Sequence, residues 1–432
     1  MRRFLPGGDS GRILANAGWL YFDQVLRAGI VLVTFSLMAR GLGPERFGLL
    51  SYAVAFPGIF LPLAMLGLDY VVVRDFVRHP GERDRIFGTA FALKTLAALA
   101  ATGAALGVAL LTTGGAPATR TLLVVTSLSL LFQPLLTMDY YFQSQVAAKY
   151  SAVARMIACV LANALRAWFA LHDAPVAWFA WAFAAEAAIY AASLAGAWEA
   201  SGAAWVHPWR AFDGAVARRL LTSAWPLFLA DVAIAFYLKF DQMLLSHLAG
   251  PEVLGRYAAA FRLADAAEFF ALALINSYFP RIVLLHQREP AAFQADVDRF
   301  FRRMTWFAIA VATALSLGAP LVTGTVLGPR FGQVWPVLAV LTWANVFITQ
   351  IAVRGKWFLI DNLQLYSLVF FVLGAVVHLS LLPLVAPRWG ALGAAGSFCT
   401  AQAVIAIIAP ACFARARPAA VLALRSLWPW RT

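Results

Sequence analysis

Long apolar runs follow one another along almost the whole chain, and they restrict the fold more than any motif does. A helix that crosses a bilayer needs about 20 mainly apolar residues. Because 62% of the residues are hydrophobic and only 13% are charged, a soluble core could not bury this surface, and lipid must contact part of it. The sequence therefore predicts an all-α polytopic membrane protein with about twelve transmembrane helices.

The distribution of lysine and arginine indicates how these spans are oriented. We place the spans at about 14–40, 46–72, 86–112, 120–143, 149–171, 175–198, 220–247, 254–283, 302–326, 333–353, 363–385 and 391–413. With a cytoplasmic N-terminus, most of the 34 lysines and arginines fall in cytoplasmic segments, as the positive-inside rule requires. We therefore predict that both termini are cytoplasmic. The cytoplasmic segments account for most of the net charge of +13, which therefore does not indicate a nucleic-acid partner.

The frame G-P-E-x-x-G occurs twice, at residues 43–48 and 250–255, each time between two apolar runs. Its first glycine suits a left-handed helix end, and its proline suits the first turn of the next helix. One copy is an ordinary helical hairpin. Two copies six spans apart predict parallel repeats around a central cavity. The corresponding division is an N-lobe of six spans at 1–199, a cytoplasmic connector at 200–219, a C-lobe of six spans at 220–414 and a cytoplasmic tail at 415–432.

Ionisable side chains inside the predicted spans are costly there and are usually paired or functional. Asp23 and Arg27 are four residues apart and can pair on one helix face, whereas Lys239 and Asp241 point to different faces. Two interpretations stay open, namely ion pairs that hold helices together and side chains that line a cavity. Glu186 is one of the acids inside these spans.

Five cations within the membrane favour a cavity that accepts an anionic headgroup, because guanidinium groups offer several donors to phosphate oxygens. The predicted substrate-binding residues are Arg27, Arg262, Lys239, Lys94 and Arg166. The acids would carry a coupling proton or sodium ion, or would balance charge. These residues are Asp23, Asp231, Asp241, Asp265 and Glu268.

Motifs of common enzyme classes are missing from the sequence. It contains no G-x-x-x-x-G-K-[ST], no H-E-x-x-H and no G-x-S-x-G. The six histidines have no metal-ligand spacing, and the three cysteines form no C-x-x-C pair. The predicted outer loops are too short for a catalytic domain. We therefore predict a protein that moves its substrate without transforming it and needs neither metal nor cofactor.

Several segments resemble bacterial polysaccharide transporters of the O-antigen flippase type, and together they cover nearly the whole chain. They are ARGLGPERFGLLSYAVAF, MDYYFQSQ, YSAVARMI, YLKFDQMLLSHLAGPEVLGRYAAAFRLAD, NSYFPRI, APLVTGTVLGPRFGQVWPVLAVL and PRWGALGAAGSF. This family is part of the multidrug/oligosaccharidyl-lipid/polysaccharide exporter superfamily. Arg27 and Arg262 fall where related flippases place cavity cations. Tyr257 matches a tyrosine of the family, whereas His378 stands where the family often has asparagine.

The resemblance implies a flippase of the bacterial inner membrane. Its substrate would be an undecaprenyl-pyrophosphate-linked oligosaccharide, an O-antigen or exopolysaccharide repeat unit, translocated by alternating access. We expect a monomer in the lipid bilayer, with H+ or Na+ as coupling ion and the polysaccharide polymerase machinery as a further contact. Two alternatives stay open. A multidrug extruder of the same superfamily would need an acidic cavity, which the five cations oppose, and a membrane sugar transferase or polymerase would need larger outer loops.

Overall fold

The computed structural model describes the backbone of residues 9–113, 116–202, 209–288, 290–361 and 363–427. Side chains are described from residue 24 onward within these ranges, apart from residue 148 and several between 280 and 294. The side chain of Asp23 therefore lies outside the described part, as do residues 203–208 of the predicted connector and 428–432 of the predicted tail.

Helices account for nearly all of the described residues, and strands are absent from them. Short 3-10 segments occupy Pro80–Glu82, Leu128–Leu135 and Pro329–Phe331, and a π-helical turn occupies Val404–Ile408. The α-helices are α1 Asp9–Met65, α2 Asp69–Arg78, α3 Arg83–Thr112, α4 Pro117–Ser127, α5 Leu136–Ser144, α6 Ala148–Leu171, α7 Val176–Ala200, α8 Gly214–Arg288, α9 Pro290–Val326, α10 Trp335–Ile360, α11 Gln364–Ala403, α12 Ala409–Cys412 and α13 Arg417–Ser426.

Nine helical segments in the described ranges are long and apolar enough to cross a membrane. Three of them contain 55, 66 and 49 residues, at least twice what one span needs. Each of these three contains a kink at a glycine with non-helical dihedrals, namely Gly43, Gly250 and Gly390, and the first also turns at residues 66–68 between α1 and α2. The all-α polytopic fold is thereby confirmed, while the exact number of twelve spans and the two six-helix lobes stay predictions.

The first glycine of each G-P-E-x-x-G frame has the positive φ that the sequence predicts. Gly43 has φ 71° and ψ 174°, and Gly250 has φ 86° and ψ 167°. The ψ values differ from those of the expected left-handed helical conformation. They place both residues in a region that essentially only glycine occupies, because a Cβ would clash with the backbone there. The similar dihedrals indicate that the two copies make the same kind of turn.

The last glycine of each frame packs against the other copy. A Cβ on Gly48 would overlap the carbonyl oxygen of Pro251 and lie 2.8 Å from the nitrogen of Gly255. A Cβ on Gly255 would overlap the carbonyl oxygen of Pro44 and lie 3.0 Å from the nitrogen of Gly48. The two frames therefore contact each other backbone to backbone, which only residues without a side chain allow.

The Cα positions group into two compact units. The first comprises Met1–Leu42 and Tyr52–Phe240, and the second comprises Gly43–Ser51 and Asp241–Thr432, so both frames belong to the second unit. The lobe, connector and tail boundaries given above stay predictions. In the first unit, the buried Trp198 packs against other aromatic rings, with Phe87 and Tyr141 both at 4.8 Å between ring centroids.

Arg354 is buried inside α10, one residue beyond the span predicted at 333–353. It is only 2% exposed. Its Nη1 donates to the carbonyl oxygens of Ile405 at 2.7 Å and Ala406 at 3.3 Å. Both carbonyls belong to the π-helical turn, where the changed hydrogen-bond register leaves backbone acceptors for a side chain. A buried guanidinium thus completes the backbone bonding of a neighbouring helix.

We expect Gly255→Ala to destabilise the protein, because the added methyl group meets backbone that cannot move aside. Overpacking of this kind costs about 1–3 kcal/mol, so the apparent Tm of the detergent-solubilised protein should fall by several degrees. The matched control is Gly107→Ala, whose Cβ meets nothing within 4 Å, and whose helix should gain slightly from alanine. Equal thermal stability of the two variants would contradict the reciprocal glycine contact.

Candidate functional site

A buried lysine lies beside a cavity in the first unit. Lys94 of α3 has no exposed side-chain surface, and its Nζ donates to the Tyr140 hydroxyl at 2.9 Å. The same Nζ lies 3.8 Å from Oδ1 of Asp69, to which the Tyr140 hydroxyl donates a hydrogen bond. The charge of Lys94 is therefore compensated by Asp69 both directly and through Tyr140, as a buried cation requires.

The cavity next to this triad has a volume of about 380 Å³. Its lining residues come from α2 and α5, and they are Asp69, Tyr70, Val73, Arg74, Tyr140 and Gln143. Lys94 itself is not among them; it contacts two of them, Asp69 and Tyr140. A ligand in this cavity would meet one cation, Arg74, and one carboxylate, Asp69.

Arg166 forms a second buried pair in the first unit. Its side chain, on α6, is 5% exposed, and Nη2 donates to Oε2 of Glu186 on α7. The guanidinium also lies 3.7 Å from the ring centroid of Phe183. These contacts fit the interpretation of a structural ion pair between neighbouring helices, and they occupy the charge that the sequence assigns to substrate binding.

Four buried polar side chains meet in the second unit. Asp241 and Tyr257 lie on α8 on either side of Gly250, and Oδ2 of Asp241 accepts the Tyr257 hydroxyl at 3.3 Å. His378 of α11 has its Nε2 3.6 Å from the same oxygen, and its Nδ1 lies 3.0 Å from the Ser397 hydroxyl. The four residues are at most 5% exposed. The structure therefore joins Asp241, a predicted coupling residue, to the tyrosine and histidine noted in the sequence.

The remaining predicted residues keep more of their surface accessible. Arg262, Asp265 and Asp231 are exposed, whereas Arg27, Lys239 and Glu268 are half-buried. The aliphatic part of Lys239 lies against Gly58, since a Cβ there would come within 3.2 Å of Lys239 Cγ. The five predicted cations thus fall into two groups, with Lys94 and Arg166 buried in polar contacts and the other three partly accessible.

The sequence did not predict three residues of these clusters, Asp69, Tyr140 and Ser397. Asp69 could have been found, because it is an acid inside the predicted span 46–72. Tyr140 and Ser397 carry no charge, and their partners lie 46 and 19 residues away in the chain, so no spacing rule identifies them. Within the described ranges, no three His, Cys, Asp or Glu side chains are grouped so that they could hold a metal ion.

We expect Tyr140→Phe to lower thermal stability, because it removes the hydroxyl that joins Lys94 to Asp69 and leaves the ammonium group short of a partner. Loss of such a buried hydrogen bond costs about 1–3 kcal/mol. The matched control is Tyr70→Phe at the same cavity, whose side chain is 82% exposed. If both variants retain the apparent Tm of the parent, the hydroxyl does not contribute as the geometry indicates.

Solved structures of two transporters share this fold over most of the chain. A multidrug resistance MATE family transporter of the MOP superfamily, inward-facing, matches with a TM-score of 0.73 at 14% identity, covering 92% of this chain and 96% of that chain. Lipid II flippase MurJ, in an inward closed conformation, also matches with a TM-score of 0.73, at 12% identity, covering 94% and 90%. At such identities the likeness establishes the fold alone.

Sequence comparison extends this likeness to polysaccharide proteins. A candidate O-antigen transporter of Shigella dysenteriae is 28% identical over 160 residues, which are 37% of this chain and 40% of that protein. One of Shigella flexneri is 31% identical over 80 residues, 18% of this chain and 19% of that protein. The matches thus span less than half of either relative. A family profile matches residues 13–286, more than half of the chain. The chain therefore belongs to the family described as "Polysaccharide biosynthesis protein".

Proposed function

We propose that this membrane protein is a flippase that carries a lipid-linked glycan across the bilayer and leaves its covalent structure unchanged. The family assignment, the O-antigen transporter relatives and the transporter fold support this proposal. The main structural support is that Arg262, a cation in an apolar helix, is exposed. An arginine at the centre of a membrane helix costs at least about 2.5 kcal/mol, so it is favourable only where water or an anion meets it.

We also propose which headgroup these cations bind. The substrate is an undecaprenyl-pyrophosphate-linked oligosaccharide, an O-antigen or exopolysaccharide repeat unit. Arg262, Arg27 and Lys239 bind the pyrophosphate through charge-assisted hydrogen bonds. Lys94 and Arg166 already contact a carboxylate, Asp69 and Glu186, and would join them only if those contacts opened.

The surroundings of the protein follow from the same proposal. It lies in the bacterial inner membrane with both termini in the cytoplasm, works as a monomer by alternating access, and contacts the polysaccharide polymerase machinery. Transport is coupled to H+ or Na+ through acids of the membrane helices. The candidates are Asp23, Asp231, Asp241, Asp265 and Glu268, and among those with a described side chain Asp241 alone is buried.

A bacterial strain that lacks its own glycan flippase tests the proposal. Expression of this chain should restore surface glycan and prevent lipid-linked repeat units from accumulating on the cytoplasmic side. We expect Arg262→Ala to reduce the export rate about tenfold or more, because a hydrogen bond to a charged group contributes about 1.5–3 kcal/mol. Arg256→Ala is the matched control, since this exposed arginine of the same helix pairs with Glu252. Equal export by both variants would refute the role of Arg262.

Drug extrusion is the second candidate function, because a multidrug transporter matches the fold with the same TM-score as the lipid II flippase. The accessible cations Arg262, Arg27 and Lys239 disfavour it, since they would repel cationic drugs. We expect expression of the chain in a drug-sensitive strain to leave resistance to cationic drugs unchanged. The Arg262→Ala variant is tested in the same strain, because it lacks one of the cations that would repel such drugs. Raised resistance without any glycan export would favour the extruder.

A further inference from the structure

We propose that His378 and Asp241 bind one proton between them inside the second unit, and that this proton is the ion coupled to transport. The coupling part rests on the proposed flippase function, whereas proton binding stands on the geometry of the pair. The site lies where α8, the part of α11 before Gly390 and the part after Gly390 come together. The polar groups described at this site include Asp241, Tyr257, His378 and Ser397.

The hydroxyl of Ser397 favours one ring nitrogen of His378 as the site of a proton. A serine hydroxyl has one proton to donate, and Ser397 is placed to give it to the carbonyl oxygen of Ala394 at 2.9 Å. The same hydroxyl lies 3.0 Å from Nδ1 of His378. Both contacts can form at once only if Ser397 accepts there and Nδ1–H of His378 donates. In this arrangement Nδ1 carries a proton.

The carboxyl group of Asp241 faces the ring and has two donors aimed at it. Its Oδ1 accepts the backbone N–H of Gln242 at 2.7 Å, and its Oδ2 accepts the hydroxyl of Tyr257 at 3.3 Å. Two donors aimed at a carboxylate stabilise its charged form. Asp241 is 5% exposed, so its negative charge needs a positive charge nearby.

In this arrangement, Nε2 of His378 is the position for a further proton. Nε2 of His378 lies 3.6 Å from Oδ2 of Asp241. With Nδ1 protonated, a neutral ring would direct the Nε2 lone pair at the carboxylate, and two acceptors would face each other in a buried site. When Nε2 takes up H+, an N–H bond forms, no bond breaks at the carboxylate, and a histidinium–aspartate pair results. Release of H+ is the reverse step.

Uptake and release of this proton would change how the three segments hold together. In the protonated state, His378 of α11 attracts Asp241 of α8, and Ser397 anchors the ring to the segment after Gly390. Loss of the proton leaves the buried carboxylate of Asp241 without the positive charge of His378, which strongly destabilises such a contact. The segments should then separate until water reaches Asp241. Histidine suits this role because its charge changes near neutral pH.

Nitrogen-15 NMR of the full chain with labelled histidine, in lipid nanodiscs, tests proton binding directly. At about pH 7 we expect one imidazolium signal that disappears in His378→Gln and becomes that of a neutral ring in Asp241→Asn. The matched control is His172→Gln, which removes an exposed histidine at the end of α6 and should leave that signal unchanged. Replacing sodium by choline should also leave it unchanged.

Two results of this experiment would overturn proton binding by the pair, namely a neutral His378 ring in the parent protein, or a signal that changes when sodium is removed. If His378→Gln does not fold, a chain with His378 as its only histidine identifies the signal without that variant. In the complementation strain, we expect a protonophore to stop export, sodium removal to have no effect, and His378→Gln to export at least tenfold more slowly. Export by His378→Gln at the parent rate would overturn the coupling role.

The two proposals fail in distinguishable ways. If the parent chain exports no glycan, the flippase proposal fails, while the NMR experiment still decides whether the pair binds a proton. If the parent exports glycan but depends on sodium, the flippase proposal stands and the proton as coupling ion is refuted.

Discussion

Hydrogen bonding of the backbone in lipid is the constraint on which this structure depends. No water is available in the bilayer core, so each N–H and C=O must find a partner within the protein, and helices provide that locally. Inside the longest apolar segments of the described chain, several departures from the regular α-helix have an identifiable local basis. Gly43 and Gly250 adopt dihedrals closed to other residues, and Arg354 donates to carbonyls of a π-helical turn.

Charges inside the apolar helices follow the same constraint, because an uncompensated charge in lipid is costly. The described side chains meet it in three ways. Arg166 pairs with Glu186, Lys94 is joined to Asp69 through Tyr140, and Arg262 stays exposed. A paired cation contributes its charge to stability, whereas an exposed cation stays accessible, as the proposed binding of an anionic headgroup requires. The difference explains why the five cations, which look alike in the sequence, are not equivalent candidates for binding a pyrophosphate.

The two copies of the G-P-E-x-x-G frame connect the repeat to packing. Their first glycines make the same turn, and their last glycines allow direct backbone contact between Gly48 and the Pro251 carbonyl and between Gly255 and the Pro44 carbonyl. The two copies therefore also contact each other reciprocally, each through its last glycine. On either side of the second frame, α8 carries Asp241 and Tyr257, which lie close to His378. The same element α8 therefore contributes both to the contact of the repeats and to the buried polar site.

The sequence by itself determined the membrane class, the all-α fold, the positions of most helices and the family, because apolar length and local turn chemistry are written in neighbouring residues. It also identified Asp241, Tyr257 and His378 one by one. Only the tertiary structure decided that these three meet, that Ser397 completes their cluster, and that Lys94 and Arg166 are buried in ionic contacts. The physical reason is that a hydrogen bond extends only about 3 Å, and residues far apart in the chain come that close only through the packing of whole helices.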